Sequence, residues 1–235
     1  MKLQGKSVLI TGGTGALGHV VAECFLKEGA SVATSYLFED ELKHLKEEFR
    51  KNVVIIRADV TNDEDVVALF RQATKQFNKV DILVNLVGGF LAKSQIRDVK
   101  LKDWDHMMNI NLKSTFLCSR QFLQNLGDLS YGRIISMAAM PALKPSGGRG
   151  PYAVAKGGVV MLTEILGEEL KGTGVTANAI APSILRTEAN MASMPGEDTS
   201  KWVTPEAVAD MMLHLCSPDG RAISGVTIPM FGGLS

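Results

Sequence analysis

The sequence predicts a single α/β domain, built as a doubly wound parallel sheet of about seven strands with helices on both faces. Three observations predict it. Short, β-branched apolar runs alternate with longer helical patterns along the whole chain. The runs are apolar at successive positions, which marks strands buried on both faces, as in parallel sheets covered by helices. A glycine-rich turn joins the first run to the first helical pattern.

Taken in order, Ser7 to Ile10 reads as the first strand and Leu17 to Glu28 as a helix that stops at Gly29. Ser31 to Thr34 is a second strand, followed by a charged amphipathic helix from Glu39 to Phe49. Val53 to Ile56 is a third strand, Asp63 to Phe77 a helix, and Ile82 to Val84 a fourth strand. One long helix is expected from Leu101 to Leu126, then a strand from Arg133 to Ser136. A helix over Tyr152 to Lys171, a strand over Val175 to Ile180, a helix over Pro205 to Cys216 and a strand over Val226 to Ile228 complete the set. Right-handed crossovers turn this alternation into a Rossmann-like sheet. Residues 1–235 read as one domain, with no repeat or interdomain linker. Two loops are expected, Met140 to Pro151 and a short substrate loop at about 188–201.

The chain has 235 residues, which suits one large α/β domain, and it is 46% hydrophobic, enough for a sizeable core. Lys plus Arg and Asp plus Glu both number 25, so the formal net charge is zero, and neither a nucleic-acid surface nor a polybasic membrane patch is expected. No run of about 18 apolar residues predicts a membrane span, and the start passes directly into a strand-like run without the pattern of a signal peptide. The cysteines, Cys24, Cys118 and Cys216, and the four histidines are scattered, with no metal-ligand spacing. Reduced, packed thiols and a cytoplasmic location are the expectation.

The segment Thr11-Gly12-Gly13-Thr14-Gly15-Ala16-Leu17-Gly18 follows the first strand and opens the first helix. Gly13-x-Gly15-x-x-Gly18 fits the dinucleotide fingerprint: glycines allow a pyrophosphate to approach the backbone, and the helix N-terminus offers unpaired N–H groups and the positive end of its dipole. Glycines also occur in purely structural turns; the place directly after the first strand gives the motif its weight. Gly12, Thr14, Gly15, Ala16 and Leu17 are the candidate phosphate-binding residues.

Several further segments, together with this loop, resemble the short-chain dehydrogenase/reductase family, and the resemblance covers nearly the whole chain. Asp59-Val60 is similar to the family's Asp-hydrophobic pair, which implies contact with the adenine. Val84-Asn85-Leu86-Val87-Gly88 resembles the Asn-Asn-Ala-Gly segment, with its second and third positions altered, and makes Asn85 and Gly88 candidate cofactor contacts. Asn109-Ile110-Asn111-Leu112 resembles the segment that carries a catalytic Asn, here Asn111. Tyr152-Ala153-Val154-Ala155-Lys156 matches the Tyr-x3-Lys motif. Asn178 to Thr187 resembles the nicotinamide-side loop and adds Pro182, Ile184 and Thr187, with Ser183 where Gly usually follows the Pro. Ile223 to Gly233 resembles the closing segment. The Tyr-x3-Lys string alone occurs by chance; the segments in family order are specific.

Residues i and i+4 share a helix face, so Tyr152 and Lys156 can converge on one ligand. Hydride transfer to a carbonyl needs a proton donor, and an ammonium near a phenol lowers its pKa. The resemblance implies Tyr152 as acid/base, Lys156 as its electrostatic partner and ribose contact, and Asn111 as support for a proton relay. It also implies a homodimer or homotetramer formed through the helices at 101–126 and 152–171.

Two departures stand out. Where the family usually carries a Ser that hydrogen-bonds the substrate oxygen, thirteen residues before the Tyr, this sequence has Ala139. Losing one such donor typically slows turnover about 10²–10³-fold. Three readings stay open: a substrate that needs no second donor, as in the family's dihydropteridine reductases; replacement by another group or a water; or loss of catalysis with cofactor binding retained, giving a sensor or scaffold. Strand alternation should turn Ser136 away from position 139, and Ser146 could approach from the next loop. Ala16 stands where many members have the middle glycine of the loop, and is small enough to be tolerated there.

The expected function is hydride transfer between NAD or NADP and a small carbonyl, imine or quinonoid substrate. An acid at the end of the second strand would hold the ribose hydroxyls of NAD. Tyr36 stands at that place, Glu39 and Asp40 come late, and the glycine loop has no Arg or Lys. The choice stays open, tilted toward NAD because no phosphate partner is visible. Between Thr187 and Pro205 the substrate end is short and holds Met191 and Met194.

Overall fold

The computed structural model describes residues 1–43, 45–91 and 93–234. Seven parallel strands form one sheet: β1 (Ser7–Thr11), β2 (Ser31–Tyr36), β3 (Val53–Arg57), β4 (Ile82–Asn85), β5 (Gly132–Met137), β6 (Val175–Pro182) and β7 (Thr227–Met230), in the order β3-β2-β1-β4-β5-β6-β7. The order reverses between β1 and β4. A crevice opens at such a point, outside the carboxyl ends of the strands. The register there sets Thr11 against Asn85 and Asn85 against Ser136.

The helices are α1 (Ala16–Lys27), α2 (Asp40–Lys43), α3 (Glu47–Asn52), α4 (Asp63–Phe77), α5 (Leu101–Met108), α6 (Ser114–Asn125), α7 (Met140–Leu143), α8 (Gly150–Glu169), α9 (Glu188–Ser193) and α10 (Pro205–Cys216). Strand alternation sorts the core into two layers. Val8, Ile10, Ile82, Val84 and Ile135 meet Val21 and Phe25 of α1 and Val208 and Met212 of α10. Leu9, Leu83 and Ile134 meet Leu69 and Phe70 of α4, Phe122 of α6 and Leu166 of α8. Both faces of the sheet are covered, which is why its strands carry apolar residues at successive positions.

Two expected helices are broken. The segment 39–49 divides into α2 and the start of α3, with Lys46 extended between them. The Leu42 carbonyl, which a continuous helix would bond to the N–H of Lys46, accepts instead from the N–H of Leu45 and from the guanidinium of Arg50. The segment 101–126 is interrupted by a π turn over Asn109–Lys113. Here side chains take carbonyls one turn back: Asn111 Nδ2 donates to Met107 O, Ser114 Oγ to Ile110 O and Thr115 Oγ1 to Asn111 O. Such competition loosens the regular ladder, and π turns of this kind concentrate at functional sites. The two expected loops also contain structure, α7 in the first and α9 in the second. Among the described residues, no helix is long and apolar enough to cross a membrane.

Candidate active site

A cavity of about 470 Å³ runs along the carboxyl ends of β1, β4, β5 and β6. One end is the glycine loop. Gly15 precedes α1 without a side-chain cap, and the first turn of α1 holds no acid. The leading N–H groups of that helix are therefore left for a ligand, beside Gly15, Ala16 and Leu17 in the cavity wall. The loop is fixed from below: the N–H of Gly13 donates to Thr34 Oγ1 at 2.8 Å and that of Gly12 to Ser35 Oγ at 3.3 Å. Gly18 admits no side chain, because a Cβ there would stand 2.3 Å from the carbonyl oxygen of Gly12.

At the other end, Asn111, Tyr152 and Lys156 line the same cavity. Asn111 is fully buried in the π turn, where its carboxamide accepts from the N–H of Gly89 at 3.1 Å and donates to the carbonyl of Gly89 at 3.0 Å. Lys156 is buried, and its Nζ donates to the carbonyl of Met137 at 2.7 Å. Burial pulls this ammonium down to about 8. The two side chains meet at Gly88, where a Cβ would lie 2.7 Å from Asn111 Oδ1 and 3.1 Å from Lys156 Nζ. Only a glycine lets the chain after β4 pass this close to both side chains.

The ring of Tyr152 packs edge-on against Phe90, with centroids 5.2 Å apart. Burial pushes its phenol up to about 12. The charge opposing this shift is that of Arg149, not Lys156, whose ammonium is engaged by the β5 carbonyl. Arg149 lines the cavity too. The sequence reading missed it, although its place three residues before Tyr152 puts it on the same side of the helix start.

Of the other residues expected at the site, Gly12, Gly88, Pro182 and Ile184 line the cavity. Thr14, Tyr36, Asp59, Val60, Asn85 and Thr187 stand outside its wall. Thr14 donates its hydroxyl to Glu41, and Tyr36 donates to Glu39. Asp59 holds the N–H and hydroxyl of Thr61, while Val60 is packed in the core. Asn85 is buried beneath the cavity and donates to Ser119 and Ser136. Thr187 caps α9 through the N–H of Asn190.

Ala139 is buried in the cavity wall just past β5 and brings no polar side-chain atom to it. Ser136 faces Asn85, as strand alternation requires, and Ser146 is exposed and away from the wall. Asn190 and Met194, from the short segment after β6, close one side, whereas Met191 is exposed.

The sequence model of the short chain dehydrogenases matches residues 6–198. The 3-oxoacyl-(acyl-carrier-protein) reductase of Vibrio cholerae is 29% identical over 242 residues, covering 100% of this chain and 99% of the relative. A short-chain dehydrogenase/reductase from Serratia marcescens superposes with a TM-score of 0.91 at 28% identity, over 100% of both chains. A short chain dehydrogenase from Burkholderia cenocepacia, solved in complex with NADP, gives a TM-score of 0.89 at 27% identity, over 100% of this chain and 99% of that one. With the family's sequence pattern matched along most of its length, and solved members superposing over the whole of it, this chain belongs to the short-chain dehydrogenases.

Proposed function

We propose that this protein is a nicotinamide-dependent oxidoreductase that interconverts a small carbonyl compound and its alcohol. The observation that carries this is a single cavity with the uncapped N-terminus of α1 at one end and Asn111, Tyr152 and Lys156 together at the other. The residues fit a dinucleotide. The helix end suits a pyrophosphate, and Asn111 and Lys156 line the far part of the same cavity, where a ribose would lie. The nicotinamide supplies or accepts the hydride at the carbonyl carbon.

The chain's own residues supply the rest. Tyr152, raised by burial, is a phenol at neutral pH and gives its proton to the carbonyl oxygen as the hydride arrives; in the reverse direction it takes that proton back. Lys156 is held by the Met137 carbonyl within reach of a ribose hydroxyl, and a negatively charged dinucleotide beside it favours its charged form. Asn111 fixes the peptide of Gly89 that floors the pocket.

Glu41 bears on the form of the cofactor. Its carboxylate accepts from the Thr14 hydroxyl at 2.5 Å and from the N–H groups of Leu37 and Phe38 at 3.0 and 2.9 Å. An anion thus occupies the donors at the end of β2, which supports NAD. The Burkholderia relative, solved with NADP, supports the phosphorylated form. Homo-oligomerisation through α6 and α8 is part of the same reading, and the exposed Phe116, Val154, Met161 and Ile165 on those helices supply an apolar face for it. Calorimetric titration with NADH and NADPH tests the cofactor reading. Low-micromolar binding of one supports it, and binding of neither overturns it.

A further inference from the structure

A second hollow, of about 310 Å³, lies on the far side of Tyr152. Among the described residues, it shares with the main cavity only Arg149 and Tyr152, which form the wall between the two. Its charged lining is Lys93, Asp98, Lys100, Asp103 and Arg149. Two ammonium groups balance two carboxylates, and Asp98 is further paired with Arg97. The guanidinium of Arg149 is the charge left over.

That guanidinium is unusual in this protein. Arg120 and Arg133, the other arginines whose side chains are partly or fully buried, satisfy their terminal nitrogens with Asp63 and with the carbonyls of Gly132 and Gly174. Among the described residues, Arg149 makes no ion pair and no side-chain hydrogen bond; its Nε is buried without a partner, as are those of Arg120 and Arg133, but it alone of the three has no partner at its terminal nitrogens either. A half-buried, permanently charged fork left unpaired is costly unless a ligand completes it. Its backbone is held in place, since Ser94 bridges to Arg149 and the N–H of Ser94 donates to the Gly148 carbonyl at 3.0 Å.

We infer, on the reading of this site as an oxidoreductase, that Arg149 is a carboxylate-binding residue and that the substrate is a short oxo acid or the matching hydroxy acid. The planar fork of Arg matches a carboxylate in two parallel hydrogen bonds. Arg149, which precedes α8, and Tyr152 in its first turn line the same two hollows, and the Arg149 charge is close enough to bear on the Tyr152 phenol. The carboxylate therefore lies within a few bonds of the carbonyl that Tyr152 protonates. A phosphate at the end of a long carrier arm would be too far from the reacting carbon. Anchoring at Arg149 also positions the substrate without a hydroxyl at Ala139. A bound carboxylate takes up the one charge that favours the phenolate, so Tyr152 stays protonated for reduction.

The test uses 2-oxobutanoate, 3-oxobutanoate and 4-oxopentanoate, each beside its methyl ester, with the wild-type protein, Arg149→Gln and Arg149→Lys. Charge-assisted hydrogen bonds are worth about 1.5–3 kcal/mol, so kcat/KM for at least one acid should exceed that of its ester by about 10–100-fold. Arg149→Gln should remove the preference and Arg149→Lys should keep part of it. Equal rates for acids and esters in the wild type, or a preference that survives Arg149→Gln, would overturn the inference. Should no probe be turned over, calorimetric titration of the acids into cofactor-saturated protein decides: heats lost in Arg149→Gln support it, and no heat in the wild type overturns it. Cofactor binding is measured alongside. Its absence defeats the oxidoreductase reading, whereas cofactor binding without carboxylate preference defeats only the role of Arg149.

Discussion

The side chain of Asn111 and the peptide of Gly89 form a closed pair, the carboxamide oxygen accepting at 3.1 Å and its nitrogen donating at 3.0 Å. The pair joins the π turn between α5 and α6 to the segment after β4 and floors the cavity beneath Tyr152 and Lys156. Asn111→Ala leaves both polar groups of Gly89 without these partners. A loss of about 1–3 kcal/mol in unfolding free energy follows, read by urea denaturation. Cofactor affinity should fall with it, because the floor is no longer fixed. A variant as stable as the wild type would show that the pair is incidental.

Lys156 gives a pH signature in the cofactor-free protein. Its ordinary value is 10.5, and burial lowers it to about 8. Between these values the unfolded chain holds a proton that the folded protein has released, so this residue makes stability rise with pH. Below about pH 8 both forms are charged, and the buried charge costs about 3 kcal/mol relative to the neutral form. The burial-raised thiol of Cys118 and phenol of Tyr152 act in the opposite sense at high pH. The prediction therefore concerns a difference: the unfolding free energy of wild type minus Lys156→Met should climb from about pH 8 to 10.5. A flat difference would place the ammonium in water.

Glu41 should govern the balance between the two cofactor forms. Glu41→Gln removes the negative charge from the donors at the end of β2 while preserving an acceptor for Leu37 and Phe38. The ratio of NADPH to NADH affinity should rise about tenfold, about 1.4 kcal/mol. An unchanged ratio would mean that the ribose end lies elsewhere.

Ala139→Ser returns a hydroxyl to the cavity wall. If the carboxylate on Arg149 already positions the substrate, the gain in kcat/KM should be larger for methyl esters than for the parent acids. An equal gain for both, about 10²–10³-fold, would show that the missing donor limits the enzyme for every substrate.

The parts of the fold legible in the sequence are those fixed by local chemistry. Asp63–Phe77 and Pro205–Cys216 are helices with the expected bounds because Asn62 and Thr204 cap them from the preceding residue. The strands follow from short runs rich in apolar residues. The breaks at 45–46 and 109–113 depend on Arg50 and Asn111 taking main-chain carbonyls, Asn111 also reaching across to Gly89, and helical periodicity does not encode such bonds. At the candidate site, the glycine loop and the Tyr152–Lys156 spacing announce themselves. Arg149 does not, since nothing in the string tells whether a guanidinium has found a partner. Asn85 shows the converse: its segment resembles a cofactor-contacting one, yet its side chain donates to Ser119 of α6 and Ser136 of β5.

The most direct measurement of the central claim is oxidation of the reduced cofactor with a carbonyl substrate by the wild-type protein and by Tyr152→Phe. Turnover is expected in the wild type and a loss of about 10²–10⁴-fold in the variant, with the affinity for the cofactor unchanged. Equal turnover by the two proteins would contradict that claim, because the proton would then come from a group other than Tyr152.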